Sequence, residues 1–121
     1  MMLTGKGGEM DILICDDEPL AVERLSRLVT QLGHQVVATA THGQQALDLA
    51  QFHEPDVVLL DIQMPEMDGL SCAQYLRQLD FMPAIIFCTA YDEYALDAFK
   101  SHAEGYLLKP VMQQELQQDR K

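Results

Sequence analysis

The sequence predicts an α/β fold, a (βα)5 chain wound into one open, doubly wound parallel sheet of five strands, and three observations predict it. Hydrophobic periodicity alternates between two regimes. Five short runs rich in Val, Ile and Leu are separated by longer stretches in which apolar residues recur at helical spacing. Parallel neighbours need helical crossovers, which cover the sheet on both faces and bury its strands. The 121-residue length and 48% hydrophobic content fit a single core.

The elements follow in order. Residues 1–9, "MMLTGKGGE", have no apolar period and are expected to form a disordered tail before a domain spanning 10–121, with Met10 as an alternative start. "DILIC" (11–15) is the first strand. A helix over 19–32 follows, with Val22, Leu25, Leu28, Val29 and Leu32 on one face, Pro19 in its first turn and Gly33 at its stop. "QVVATA" (35–40), "DVVLL" (56–60), "AIIFC" (84–88) and "GYLLK" (105–109) are the other four strands. Helical segments over 43–52, 68–79, 92–100 and 111–121 alternate with them. All five strands are expected to be buried.

Composition removes several function classes. Apolar runs such as "VVLL" and "AIIFC" fall far short of the roughly 20 residues of a membrane span, and no basic segment followed by an apolar stretch marks a signal peptide. A cytoplasmic protein without membrane contact is expected. With 19 acidic against 8 basic residues the formal net charge is -11, which repels phosphate backbones, so no direct nucleic-acid binding by this domain is expected. Cys15, Cys72 and Cys88 lack CxxC or Cys/His ligand spacing and read as reduced core residues. His34, His42, His53 and His102 are scattered, as structural or exposed residues would be.

In an open α/β sheet the ligand crevice lies beyond the carboxyl ends of the strands, where the winding reverses. The first strand ends in Asp16-Asp17, the third in Asp61, the fourth in Thr89 and the fifth in Lys109-Pro110. Two carboxylates about 5 Å apart repel by roughly 3 kcal/mol at an effective dielectric near 20, so three together cost on the order of 10 kcal/mol without compensation. Oxygen ligands with no His or thiolate beside them suit a hard dication such as Mg2+, which binds through one or two carboxylates plus phosphate. The chemistry suggested is phosphoryl transfer: metal and Lys109 neutralise phosphoryl charge, Thr89 donates a hydrogen bond, and one aspartate is the nucleophile. Asp61, alone at the end of the most buried run "DVVLLDIQMP", is the best candidate.

"ILICDDEPLA", "DVVLLDIQMPEMDGL", "FCTAYDEYALDAF" and "GYLLKP" resemble the receiver domain of two-component response regulators, over residues 10–121. The resemblance implies a flavodoxin-like and CheY-like sheet of strand order 2-1-3-4-5. It implies that Asp61 accepts a phosphoryl group from a histidine kinase, with Thr89 as switch hydroxyl, Tyr106 as switch aromatic and Lys109 as the lysine facing the phosphoryl group. It further implies Mg2+ held by Asp17, Asp61 and the backbone carbonyl of Gln63, with Asp16 acting through water, and a cis peptide at Lys109-Pro110. Met64-Pro65 and Asp68-Gly69 would shape the loop beside the phosphosite and start the third helix, and Gln63 and Tyr91 would flank it, where water access is tuned.

A closer likeness is to LytTR-type regulators of the AlgR and LytR kind, carried by "DDEPLAVERL" and "FCTAYDEYALDAF…GYLLKP". That subfamily places a DNA-binding domain after the receiver, and these residues contain none, so a receiver from a longer transcriptional regulator is expected, with a single-domain regulator as the alternative. The fourth helix, fifth strand and fifth helix would form a weak homodimer face strengthened by phosphorylation.

Two other classes fit less well. A phosphatase working through an aspartyl phosphate wants a second aspartate two residues after the nucleophile, where Gln63 stands. A receiver-like interaction module usually lacks the acceptor or the acid pair, and both are present. A regulatory phosphoacceptor is therefore expected, not an enzyme beyond catalysis of its own phosphoryl transfer and autodephosphorylation.

Overall fold

The computed structural model describes Leu3 and residues 8–117 of the chain. Five strands and five helices alternate: β1 (Asp11–Cys15), α1 (Pro19–Gln31), β2 (Gln35–Ala40), α2 (Gly43–His53), β3 (Val57–Leu60), α3 (Gly69–Leu76), β4 (Ala84–Thr89), α4 (Ala95–Lys100), β5 (Gly105–Leu108) and α5 (Gln113–Gln117). The strands are all parallel and lie in the order β2-β1-β3-β4-β5, so the winding reverses between β1 and β3.

Alternate residues of each central strand feed two cores, as the twofold period of a strand dictates. Leu13, Cys15, Val58, Leu60, Ile85 and Phe87 pack against α2 and α3, with Ala98 of α4 on the same side. Ile12, Ile14, Val57, Leu59, Ile86 and Cys88 pack against Leu25, Leu28 and Val29 of α1 and Leu116 of α5. Being apolar on both faces, β1, β3 and β4 carry no alternation in sequence.

The expectation of five buried strands holds for those three and fails for the outer two. β2 and β5 are the sheet edges, with a neighbour on one side only, and are mostly half-buried. Helix ends also differ. α3 stops at Leu76, three residues early, because Gln78 and Leu79 turn back to bond the carbonyls of Tyr75 and Leu76, an i→i−3 pattern that closes the last turn. α4 begins at Ala95 instead of 92, since residues 92–94 form a turn and Tyr94 supplies no side-chain cap. α5 begins at Gln113, where the Glu115 carboxylate reaches back to the Met112 N–H at 2.9 Å; its expected continuation over 118–121 lies outside the described residues.

Most of the expected tail, residues 1–2 and 4–7, also lies outside them, but Leu3 is 1% exposed and packs in the α1/α5 core. Its N–H donates to the Leu116 carbonyl at 2.7 Å and its carbonyl lies 3.0 Å from His34 Nε2. Met10 N–H donates to His34 Nδ1, so the buried imidazole bridges the two stretches of chain with its proton on Nε2. All three cysteines are buried and free. Among the described residues, no helix is long and apolar enough to cross a membrane.

Candidate functional site

Backbone register builds the site. Cys15 pairs with Leu60 and Thr89 with Leu108, so the residue after each strand sits at the same level of the sheet. There the ladder runs one step further: Asp16 N–H donates to the Ala40 carbonyl, Asp61 N–H to the Cys15 carbonyl and Lys109 N–H to the Thr89 carbonyl, at 3.0, 3.0 and 2.8 Å. Two carboxylates and one ammonium are thereby fixed at the carboxyl edge, at the switch point where open α/β sheets bind ligands.

One oxygen from each of Asp16, Asp17 and Asp61 lies within 4.8 Å of the others. Lys109 Nζ stands 2.8 Å from Asp16 Oδ2, 3.2 Å from Asp61 Oδ2 and 3.1 Å from Glu18 Oε1. The carboxylates are oriented by backbone donors: Glu18 N–H to Asp16 Oδ1 at 2.9 Å, and Ile62 N–H to Asp61 Oδ1 at 2.7 Å. Asp16 Oδ2 remains buried with no hydrogen bond directed at it, so the nearby ammonium offers it charge without a well-aimed proton. An orphaned carboxylate oxygen inside an all-oxygen donor set fits a hard cation such as Mg2+, with water completing the shell.

Electrostatics agree with that geometry. Burial, chiefly, raises the Asp16 carboxyl above its ordinary range, against the adjacent Lys109 ammonium and the Glu18 N–H and with the added repulsion of Asp61. Burial alone would lower the Lys109 ammonium, but the close carboxylates of Asp16, Glu18 and Asp61 raise it, so it stays protonated. The cysteines are no competing nucleophiles: burial pushes Cys15 well up, and Cys72 and Cys88 up to about 12.

The loop after Asp61 is shaped by Gly69. A Cβ there would lie 2.1 Å from the Asp61 carbonyl oxygen and 2.8 Å from Ile62 Cα, both backbone atoms that cannot step aside. Gly69 N–H instead donates to the Ile62 carbonyl at 2.6 Å, and Asp68 caps α3 by accepting the Ser71 N–H at 2.8 Å. Met64 folds inward, its sulfur 3.5 Å from Cys15 Sγ, whereas Pro65 is exposed. Thr89 is fully buried, its hydroxyl 3.4 Å from the Tyr91 N–H. Tyr106 is half-buried, tilted against Phe87 at 6.4 Å, and donates its hydroxyl to the Tyr91 carbonyl. The Lys109-Pro110 peptide is cis.

Two participants were not among the sequence candidates. Glu18 is the third partner of Lys109, and although it adjoins Asp16-Asp17 its target is 91 residues away. Tyr94 is the other: its hydroxyl accepts from Gln63 Nε2 at 2.8 Å across 31 residues, a contact that no local pattern encodes.

Comparison with known proteins places this arrangement among signalling domains. The response regulator receiver domain family matches residues 12–120. The positive alginate biosynthesis regulatory protein of Pseudomonas aeruginosa is 54% identical over 109 residues, covering 88% of this chain and 44% of that protein. The sensory transduction protein LytT of Enterococcus faecalis is 41% identical over 110 residues, covering 90% and 46%. The chain thus spans less than half the length of these relatives. Among solved structures, the response regulatory domain of MrkE from Klebsiella pneumoniae superposes with a TM-score of 0.82 at 34% identity, covering 89% of each chain. A chain of the CheX–CheY–BeF3–Mg2+ complex from Borrelia burgdorferi superposes at 0.83 with 29% identity, covering 91% of this chain and 86% of that one.

The crowding predicts the effect of neutralising one member. At an effective dielectric near 20, each carboxylate within 4.8 Å repels Asp16 by about 3.5 kcal/mol or more, while Lys109 at 2.8 Å attracts it by about 6 kcal/mol. These nearly cancel, so the burial cost of the charge decides. Asp16→Asn should stabilise the metal-free protein at pH 7 by about 1 kcal/mol, raising its melting temperature by about 4 °C. Calorimetry in the presence of a chelator checks this, and a lowered melting temperature would mean that the Lys109 ion pair dominates.

Proposed function

This chain belongs to the response regulator receiver domain family, and from that premise we propose that Asp61 accepts a phosphoryl group from a histidine kinase in a Mg2+-dependent reaction. The observation that carries the reading is the convergence at Asp61: two further aspartates within 4.8 Å and the Lys109 ammonium at 3.2 Å. Mg2+, held by Asp17, Asp61 and the Gln63 backbone carbonyl with Asp16 acting through water, would neutralise phosphoryl charge. Ile62 N–H fixes Asp61 Oδ1 and so orients the carboxylate. The Asp61 oxygen attacks phosphorus, the P–N bond to the donor imidazole breaks, and the imidazole leaves with the electron pair. Lys109 faces the added negative charge, which offsets the cost of bringing a phosphoryl group to an acidic crevice. Asp16 attacks nothing; its buried charge supports the cation and the ammonium.

The domain is accordingly a regulatory phosphoacceptor that catalyses its own phosphoryl transfer and autodephosphorylation, in the cytoplasm, without membrane or nucleic-acid contacts of its own. In the full-length protein it would control a LytTR-type DNA-binding domain, a reading supported by the regulators it resembles, of which it spans under half. A phosphoryl group on Asp61 would draw Thr89 inward and release Tyr106, passing the signal to α4, β5 and α5. Leu96 and Phe99 of α4, 63% and 79% exposed, with Leu108 of β5 and Met112 before α5, give that face apolar area for a second copy of the chain. Asp97 and Lys100 on α4 add charges of both signs, as in a modest, reversible homodimer.

Two experiments test these proposals. Incubation with Mg2+ and acetyl phosphate should add one phosphoryl group, and Asp61→Asn should abolish it; undiminished labelling of that variant would move the acceptor elsewhere. Analytical ultracentrifugation with a beryllofluoride phosphoryl mimic should show self-association tightened about 5- to 150-fold, the usual span of a coupling free energy, with Thr89→Ala uncoupled. Equal association constants with and without the mimic would remove α4-β5-α5 as the output route.

A further inference from the structure

Two clefts meet at the Gln63 side chain. One, of about 180 Å³, lies over the reactive groups and is lined by Asp17, Asp61, Lys109 and Tyr91 together with Gln63. The other, of about 460 Å³, lies outside it along Met64, Pro65, Asp68 and Tyr94, and Gln63 lines it too. Gln63 is thus common to both, as Asp17 is, and an exposed glutamine on a loop has no rotamer preference strong enough to keep its amide there. Its Nε2 donates to the Tyr94 hydroxyl at 2.8 Å, the bond that ties it down. Tyr94 is held in turn: it is half-buried against the α2/α3 core, and its ring meets Tyr91 edge to face, centroids 6.4 Å apart at 86°. Tyr91 also accepts the Tyr106 hydroxyl at its carbonyl, so the group anchoring Tyr94 is in contact with the proposed switch aromatic.

Resting on the phosphoacceptor reading above, we infer that Tyr94 is a positioning residue for dephosphorylation: its hydroxyl holds Gln63 as a partition between the two clefts and so limits the water that reaches phospho-Asp61. In the hydrolysis, water oxygen attacks phosphorus, the bond from phosphorus to the Asp61 oxygen breaks, the carboxylate is restored, and inorganic phosphate departs with the proton shed by water. The attacking water must approach opposite the Asp61 oxygen, from the crevice, and the partition lies between that space and the larger outer cleft. Tyr94 touches none of the reacting atoms and acts through Gln63 alone.

The test is a double-mutant cycle on the decay of acetyl-phosphate-labelled protein in Mg2+. Tyr94→Phe keeps the ring against Tyr91 and removes the acceptor, and should shorten the phosphorylated lifetime about fivefold, the factor that one net hydrogen bond sustains at room temperature. Gln63→Leu keeps the backbone carbonyl and should shorten it as well, and adding Tyr94→Phe to Gln63→Leu should change nothing further. A merely structural role for Tyr94 would persist in the Gln63→Leu background, and that result overturns the inference. So does a Tyr94→Phe lifetime equal to or longer than that of the unaltered protein. Failure of the unaltered protein to label would instead overturn the phosphoacceptor reading, and this inference with it.

Discussion

Parallel pairing of β1 with β3, Cys15 against Leu60, obliges the next residues, Asp16 and Asp61, to stand side by side at the carboxyl edge of the sheet. That constraint organises the rest. The strands cannot slip to separate the charges, because a shift by one residue would turn Ile12, Ile14, Val57 and Leu59 from one core into the other. The fold therefore holds the carboxylates together against repulsion of several kcal/mol, and Lys109, delivered from β5 by its own backbone bond to Thr89, bridges Asp16 and Asp61. The position after the last ladder bond matters most: there the backbone is still fixed while the side chain has left the core.

The same rigidity orients the groups of the site. Ile62 and Glu18 donate backbone N–H groups to the Asp61 and Asp16 carboxylates, and Gly69 lets α3 approach the Asp61 carbonyl as no side-chain-bearing residue could. What is softer lies on the opposite side of the crevice. α4 is one and a half turns long, without a side-chain cap, and its start is tied down by the Gln63–Tyr94 bond. A phosphoryl group would thus meet a rigid acidic wall and a yielding tyrosine-lined one, which suits the output route proposed through α4 and β5.

How much of this was legible in sequence follows from the same physics. β1 and β2 have the residue limits that their apolar runs suggest, because the Asp16-Asp17 pair ends the first run abruptly and Gly33 sets the second apart from α1. Asp16, Asp61, Thr89 and Lys109 could be found because each directly ends a strand or follows one, so chain position alone put them on the crevice. Burial of β2 and β5 was overestimated because Val and Leu look alike on an edge and in a centre; only pairing tells them apart. α3 and α4 are shorter than their apolar spacing suggests, since turn bonds and caps set helix ends. Glu18 and Tyr94 escaped notice because their roles come from partners 91 and 31 residues away. Leu3 is the same case, an isolated apolar residue whose place is defined by His34 and Leu116.

The central claim is that the crowded carboxylates are held together to take a cation and, with it, a phosphoryl group. Thermal unfolding against Mg2+ concentration tests this most directly. The unaltered protein should gain about 2.7 kcal/mol at a hundredfold excess of Mg2+ over its dissociation constant, as mass action requires of a ligand bound only by the folded state. Asp17→Ala should lose most of that gain. Equal Mg2+-dependent shifts in the two proteins, or no shift in either, would contradict the account.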